Sequence, residues 1–267
     1  MKKIGVALYN NFQGSLESFF SFLHKLNVDY VEIGKEWIPE RDNIGQTRDL
    51  LNIYDLKASL HISPQYNLAE FDEKKWKRNI LGVLGDLGIS YDLQVENAVL
   101  HCGWVNRDDI TPTAMDEGFE RFAEAYHLIN DYAKDFCLNI GLENQCTNGY
   151  KYYLFQDTDN VNKLEELVGK DISYILDVGH LGRLGLPLNQ MMERIEDKLI
   201  GIHLHDYDDF GRDHLPVGMG NLKVNELFTM IKGKDLFITI ENRSVNHIKY
   251  TLLHSPLTVL CHPAYKA

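Results

Sequence analysis

The chain has 267 residues, of which 44% are hydrophobic and 25% charged, which is the composition of a globular protein with an ample core. No apolar run reaches the roughly 18 residues that a membrane-spanning helix requires. The formal net charge of −12 at pH 7 disfavours nucleic acid as a partner, because an acidic surface repels phosphate backbones unless a local basic patch compensates.

The N-terminal segment passes from two lysines directly into a short apolar strand, without a signal-peptide core or cleavage site. We therefore expect a cytoplasmic protein. The cysteines lack the CxxC spacing of metal and redox motifs, and their apolar surroundings favour buried free thiols over a disulfide. They are Cys102, Cys137, Cys146 and Cys261.

Eight short apolar runs, each closed by a polar or glycine residue, have the pattern of buried parallel strands. They are Ile4–Tyr9, Tyr30–Ile33, Lys57–Ile62, Ala98–Cys102, Asn139–Glu143, Tyr174–Asp177, Ile200–His205 and Leu236–Glu241. Amphipathic stretches with helical periodicity lie between these runs. The clearest are Ser15–Leu26, Asp72–Leu87, Met115–Phe136, Val224–Ile231 and Ser244–Leu253.

Eight strand–helix units in a chain of this length predict a single (β/α)₈ TIM barrel, in one domain over 1–267. A doubly wound sheet is the alternative. That fold usually has fewer strands and often a glycine-rich first turn, whereas residues 10–14 read Asn-Asn-Phe-Gln-Gly.

Six successive predicted strands end in, or lead directly into, side chains that bind metals. In order these are His61, His101, Glu143, Asp177, His203 and Glu241. The C-terminal strand ends of a barrel converge on one face, so these residues are expected to be neighbours. Carboxylates that follow apolar runs are costly to bury unpaired, and several together repel one another unless a cation lies among them.

We therefore predict a divalent-metal site that is built from Glu143, Asp177, His203 and Glu241. Carboxylate oxygens combined with an imidazole suit Mn²⁺, Zn²⁺, Co²⁺ or Fe²⁺. The seventh predicted strand also contains His205. We expect only one of these two histidines to face the barrel interior, and we assign that position to His203.

Three further side chains have a less specific pattern. Glu32 closes the second predicted strand and either faces the pocket or caps the next segment. Trp104, three residues after His101, is the tryptophan best placed to stack on a substrate. Packing roles are expected for Trp37 and Trp76.

The motifs resemble those of the xylose isomerase-like TIM barrels, a family that includes sugar epimerases, inositol-pathway isomerases and endonuclease IV. The resemblance is carried by Gly-Leu-Glu-Asn at 141–144, Leu-Asp-Val-Gly-His at 176–180, His-Leu-His-Asp at 203–206, His-Leu-Pro-Val-Gly-Met-Gly at 214–220 and Ile-Glu-Asn at 240–242. It implies that Glu143, Asp177, His203 and Glu241 form the shared metal site of the family.

One function implied by the resemblance is a sugar or sugar-phosphate isomerase or epimerase. The metal would bind adjacent substrate oxygens and polarise a carbonyl, while Glu143, Glu241 or His180 transfers the proton. The substrate-binding residues would then be His61, His101, Trp104, Arg212 and His214. One departure counts against a two-glutamate mechanism: epimerases of this family commonly have a second glutamate six residues after the ligand at 143, and here that position is Gly149.

The alternative is a phosphodiesterase similar to endonuclease IV, with a cluster of up to three metals. His61, His101, His180 and His214 match its additional ligands. One ligand is missing, because Arg212 stands where that family has aspartate, and Asp213 is one residue out of register. The acidic charge and the lack of a basic cluster with interleaved aromatics favour a small sugar substrate over nucleic acid.

A degenerate barrel with only a binding role is a third possibility, against which the intact set of four ligands argues. The sequence leaves open the native metal, the phosphorylation state of the substrate and the oligomeric state.

Overall fold

The computed structural model describes residues 3–8, 12–35, 41–147, 149–169 and 171–257. In chain order its strands are β1 (Lys3–Ala7), β2 (Tyr30–Gly34), β3 (Lys57–His61), β4 (Asn97–His101), β5 (Trp104–Asn106), β6 (Asn139–Glu143), β7 (Lys151–Tyr153), β8 (Ser173–Asp177), β9 (Leu199–Leu204) and β10 (Phe237–Ile240). The parallel strands β1, β2, β3, β4, β6, β8, β9 and β10 pair in this order, and β10 closes on β1.

This closed barrel confirms the predicted fold class. Each of the eight predicted strands corresponds to one barrel strand, and the ends differ by one or two residues at most. Tyr9, the predicted end of the first strand, lies outside the described residues. The antiparallel two-stranded sheet of β5 and β7, which is separate from the barrel sheet, was not predicted.

The helices that surround the barrel are α1 (Leu16–Lys25), α2 (Arg41–Ile53), α3 (Glu73–Leu93), α4 (Pro112–Asp135), α5 (Thr158–Val168), α6 (Val178–Arg183), α7 (Leu188–Ile195), α8 (Val224–Met230) and α9 (Val245–His254). The five predicted helices are confirmed. Helix α3 continues six residues beyond its predicted end at Leu87, because Ile89 and Leu93 are buried there. It ends where Gln94 adopts a left-handed φ of 54°.

The two faces of the barrel strands have different roles. Alternate residues point outward and pack against the helices, as Leu60, Leu100, Leu142, Leu176 and Ile202 do. At the N-terminal end of the interior, Tyr30, Val99, Ile175 and Phe237 form a separate apolar layer. Above that layer, toward the C-terminal strand ends, the interior positions are polar.

Two glycines make room for the large residues of this apolar layer. A β-carbon on Gly5 would lie 2.1 Å from the Tyr30 ring, and one on Gly201 would lie 2.3 Å from the Phe237 ring. Only glycine therefore permits these rings to cross the barrel. The layer seals the lower interior, so the polar positions above it open at the C-terminal mouth alone.

Three other expectations from the sequence concern the cysteines, two of the tryptophans and membrane-spanning helices. The described cysteines Cys102, Cys137 and Cys146 are free thiols, and Cys137 is exposed rather than buried; Cys261 lies outside the described residues. Trp76 is buried and its indole N–H donates to the Leu68 carbonyl, which confirms its packing role, whereas Trp37 is not among the described residues. Over the part of the chain that the structure covers, no helix has the length and apolar character to cross a membrane.

Candidate metal centre

The four predicted metal ligands come together at the C-terminal mouth of the barrel. Glu143 and Asp177 end β6 and β8, His203 lies near the end of β9, and Glu241 follows β10. All four are buried, and each offers a donor atom within 4.8 Å of the others. The His203 Nδ1 atom lies 3.2 Å from Glu143 Oε1 and 3.1 Å from Glu241 Oε1.

Electrostatic coupling within this group alters the proton affinities of its members. Burial alone raises the pKa of the Glu143 carboxyl, but the imidazoles of His203 and His101 outweigh it and hold that pKa well below its usual range. The pKa of Glu241 is also lowered, mainly because His203 outweighs its burial. Burial lowers the pKa of His203, but the surrounding carboxylates raise it well above its usual value. A proton on His203 thus compensates the carboxylates in the absence of a cation.

A second group of donors adjoins the first on the side of β3 and β4. His61, His101 and Glu143 again offer atoms within 4.8 Å of one another. His101 Nε2 lies 2.7 Å from Glu143 Oε2, and His61 Nε2 lies 3.6 Å from the same oxygen. Burial lowers the pKa of His101. It also opposes protonation of His61, but the hydrogen bond to Glu143 and further carboxylates raise the pKa of His61 to about 9.

A third group lies on the opposite side and consists of His180, His205 and His214. His180 is positioned by Asp177, the N-cap of α6, which accepts the backbone N–H of His180 at 2.8 Å. The imidazole of His180 also lies 3.0 Å from the Asp177 carboxylate. The rings of His205 and His214 are stacked, with centroids 4.2 Å apart.

The expectation that only one of His203 and His205 faces the interior is wrong. Residues two apart on a strand point to the same side, so both histidines face inward and Leu204 faces outward. His205 Nε2 lies 3.1 Å from Asp177 Oδ1, and its Nδ1 accepts the backbone N–H of His214. His205 therefore orients both a predicted ligand and the loop histidine.

The loop that carries His214 is organised by Asp206, a fully buried side chain. Its Oδ1 accepts the backbone N–H groups of Tyr207 and Leu222, and its Oδ2 accepts those of Gly218 and Gly220, all at 2.8–3.0 Å. One carboxylate thus closes the segment from 207 to 222 into a compact loop. This explains how His214, ten residues beyond the end of β9, reaches the mouth of the barrel.

We expect Asp206→Asn to lower the free energy of unfolding by about 3 kcal/mol, because an amide nitrogen would face two backbone N–H donors in place of an acceptor. Urea denaturation of the metal-free protein measures this difference. Asp209→Asn is the matched control, since Asp209 is exposed and accepts one bond from Asn221. Equal destabilisation by the two substitutions would contradict the role of Asp206.

Members of all three groups line a cavity of about 480 Å³. Six of its lining residues are Glu32, His61, His101, Glu143, His180 and Glu241. Another cavity, of about 500 Å³, lies at the N-terminal end of the barrel near Lys3, Lys57 and Glu96. The C-terminal mouth is the end at which TIM barrels place their active sites, and it is the end that collects the donor groups.

Two predicted substrate-binding residues lie apart from this cavity. The Arg212 side chain is 68% exposed, and its Nε donates to Asp208 Oδ2 at 2.6 Å. Trp104 lies in the two-stranded sheet of β5 and β7, where the Lys151 ammonium is 3.4 Å from its ring centroid. His61, His101 and His214, in contrast, line the cavity as predicted.

The arginine that does line the cavity is Arg243, which the sequence analysis missed. Its Nη2 atom lies 3.1 Å from His214 Nδ1 and 3.2 Å from Asp213 Oδ1. It lies in the segment that follows β10, where the strand pattern does not fix the direction of a side chain. Asp213 also binds Arg183, and these cations together with His214 overcome burial and depress the pKa of the Asp213 carboxyl.

Glu32 is the remaining interior carboxylate, and of its two predicted roles the pocket-facing one is confirmed. It points inward from the middle of β2 and is 1% exposed. Ser59 and Thr239 donate hydrogen bonds to its Oε2, and His203 Nε2 lies 3.4 Å from that oxygen.

The arrangement is that of a TIM barrel with a histidine- and carboxylate-rich centre at its C-terminal mouth. Residues 20–251 match the family described as xylose isomerase-like TIM barrel. The chain therefore belongs to the xylose isomerase-like TIM barrel family.

Similar proteins are found both by sequence and by structure. An uncharacterised protein of Methanocaldococcus jannaschii, MJ1311, is 25% identical over 255 residues, which cover 91% of this chain and 84% of that protein. The crystal structure of a D-tagatose 3-epimerase-like protein matches with a TM-score of 0.83 at 21% identity, over 98% of this chain and 99% of that one. The IolI protein with a bound zinc atom matches with a TM-score of 0.75 at 16% identity, over 94% and 92% of the two chains.

Proposed function

We propose that this protein is a divalent-metal-dependent isomerase or epimerase of a small sugar or sugar phosphate, acting in the cytoplasm. The observation that carries the proposal is the pair of buried carboxylates, Glu143 and Glu241, on either side of one imidazole nitrogen at the floor of the cavity. The fold shared with a D-tagatose 3-epimerase-like protein supports it.

The chemistry of the donor set fits a divalent cation. Glu143, Asp177, His203 and Glu241 supply three carboxylates and one imidazole from four different strands, within bonding reach of a common centre. That combination suits Mn²⁺, Zn²⁺, Co²⁺ or Fe²⁺. A cation bound there would hold two adjacent substrate oxygens and polarise a carbonyl.

The protein's own residues would perform the proton transfer. The pKa values of Glu143 and Glu241 are lowered, so both carboxylates are proton acceptors at neutral pH. Their separate positions on β6 and after β10 would allow one carboxylate to take a proton from a substrate carbon. The other, once it has taken up a proton from a substrate hydroxyl or from water, would donate that proton to the carbon. His180, which lines the cavity beside Asp177, is the further candidate for this role. Because Gly149 stands where epimerases of the family commonly have a second glutamate, the acid–base candidates are Glu143, Glu241 and His180.

Recognition of the substrate would then depend on the histidines that line the cavity. His61 and His101 lie on one side of Glu143, and His214 lies near Glu241. Imidazoles can donate to or accept from sugar hydroxyls, so they suit a polyol. Trp104 and Arg212, which lie away from the cavity, are not needed for this recognition.

The second candidate is a phosphodiesterase with up to three metals, which is favoured by the overlapping groups of donors; besides the three groups described above, Glu32, His61, His203 and Glu241 form a fourth. The group of His180, His205 and His214 differs from the ligand set expected for such an enzyme, because it contains His205 and lacks the expected aspartate. Asp213 instead binds Arg183 and Arg243. This rearrangement supports the sugar enzyme over the phosphodiesterase.

Metal content is the measurement that separates the two candidates. For the sugar enzyme we expect one tightly bound metal per chain, whose stoichiometry is unchanged in His61→Ala and His101→Ala, together with epimerisation of ketoses or their phosphates. Two or three metals per chain, reduced in these variants and accompanied by cleavage of a phosphodiester, would favour the second candidate. A purified chain that binds no metal would contradict both.

A further inference from the structure

Glu32 lies below the proposed metal site and contacts one of its four ligands, His203. Among the described residues, Glu32 Oε1 and His203 Nε2 are buried side-chain atoms without a hydrogen-bond partner. Glu32 Oε2 nevertheless lies 3.4 Å from His203 Nε2. The carboxylate and the imidazole therefore face each other across a gap within reach of a hydrogen bond, and both side chains are buried.

The two nitrogens of His203 face different surroundings. Nδ1 points toward Glu143 and Glu241, whereas Nε2 points down toward Glu32. Both nitrogens thus face carboxylates, and those beside Nδ1 are the closer, at 3.1–3.2 Å. A metal held by Glu143 and Glu241 would take the lone pair of Nδ1, so the proton of the neutral ring would lie on Nε2. A buried N–H without an acceptor costs about 1–3 kcal/mol, and Glu32, 3.4 Å from Nε2, is the acceptor there.

The surroundings of Glu32 fix its position. Thr239 has one hydroxyl hydrogen and donates it to Glu32, so in its 2.7 Å contact with the Tyr30 hydroxyl it must be the acceptor. Tyr30 can act as this donor because burial, assisted by Glu32, raises its pKa well above the usual value. Ser59 donates to Glu32 as well. The hydroxyl hydrogens of Ser59 and Thr239 thus both point at the Glu32 carboxylate.

From this contact we infer that Glu32 is a positioning residue that holds His203 with Nε2 protonated and Nδ1 free to bind the metal. The inference rests on the proposed metal site and deepens it. Carboxylates that accept from the distal nitrogen of a metal-bound histidine fix its tautomer and ring orientation, and their loss weakens metal binding about 10–100-fold.

The test is zinc affinity, measured by competition with a chromophoric chelator on the full chain. We expect Glu32→Gln to retain the zinc stoichiometry of the unaltered protein and to bind zinc about 10–100-fold more weakly. Glu32→Asp, which keeps the charge but withdraws it from the ring, should weaken binding in the same direction. Tyr30→Phe is the matched control, because it removes a buried hydroxyl that is connected to His203 only through Thr239 and Glu32. We expect its zinc affinity to stay within about twofold of the unaltered value.

Nuclear magnetic resonance provides a readout that a purely structural role would not change. In the zinc-loaded protein, nitrogen-15 spectra of His203 should show a protonated Nε2 and a metal-bound Nδ1, and Glu32→Gln should shift the Nε2–H signal upfield. Equal zinc affinity of Glu32→Gln and the unaltered protein would overturn the inference. So would a loss of one zinc equivalent, which would make Glu32 a ligand. If the unaltered protein binds no zinc, manganese, cobalt or iron, the proposed metal site itself fails, which is a distinct outcome.

Discussion

Glu143→Gln is expected to abolish tight metal binding and to lower turnover by on the order of 10³-fold or more, while the barrel stays folded. Glutamine keeps the size of the side chain but removes the negative charge. Glu143 is the carboxylate shared by the first two donor groups, since His101, His61 and His203 all lie within 2.7–3.6 Å of its oxygens.

The measurement is metal content after purification without chelator, combined with thermal unfolding and turnover on ketoses. Asp177→Asn should also lose metal, because Asp177 belongs to the same group. Glu96→Gln is the control, since Glu96 is exposed at the opposite end of the barrel and pairs with Lys57. Retention of one metal by folded Glu143→Gln would refute the site.

The positions of the proposed ligands could be predicted because each follows an apolar strand. The C-terminal ends of the strands in a barrel lie on one face, so a carboxylate at the end of β6 and another after β10 are close together whatever the conformation of the loops. Recognising the strands in the sequence was therefore enough to predict that these side chains are neighbours. For this reason Glu143, Asp177, His203 and Glu241 were found together.

Other parts of the centre depend on contacts that a strand pattern does not encode. The inward direction of Glu32 was left open because β2 is buried on both faces and shows no alternation of polarity. The folding of the loop around Asp206 depends on backbone N–H groups up to sixteen residues away. The two-stranded sheet of β5 and β7 pairs Trp104 with Tyr153, which are far apart in the chain and lie outside the barrel.

One prediction was wrong, and another stays untested. His205 was expected to point away from the interior, but its two-residue spacing from His203 places both histidines on one face. Arg212 was predicted to bind substrate from its place in the motif, and in the structure its exposed guanidinium binds Asp208.

Metal affinity is expected to rise with pH up to about pH 9, by about tenfold per pH unit for each proton released. His203 must lose its Nδ1 proton to bind a metal, and its pKa in the metal-free protein is well above the usual value because Glu241, Glu32 and Glu143 outweigh burial. The pKa of His61 is raised to about 9, so a nearby cation should expel its proton too.

The stability of the metal-free protein should change in the opposite direction. A histidine with a folded-state pKa above its unfolded value of 6.5 contributes stability that is complete below that pH and is lost as the pH rises through about 9 for His61. The increase in melting temperature on addition of zinc should therefore grow between these values. Calorimetric titration in buffers of different ionisation enthalpy counts the released protons directly. His61→Asn should lower the number of released protons by one. A metal affinity that does not vary with pH would contradict the prediction, because it would mean that no histidine of this centre loses a proton when the metal binds.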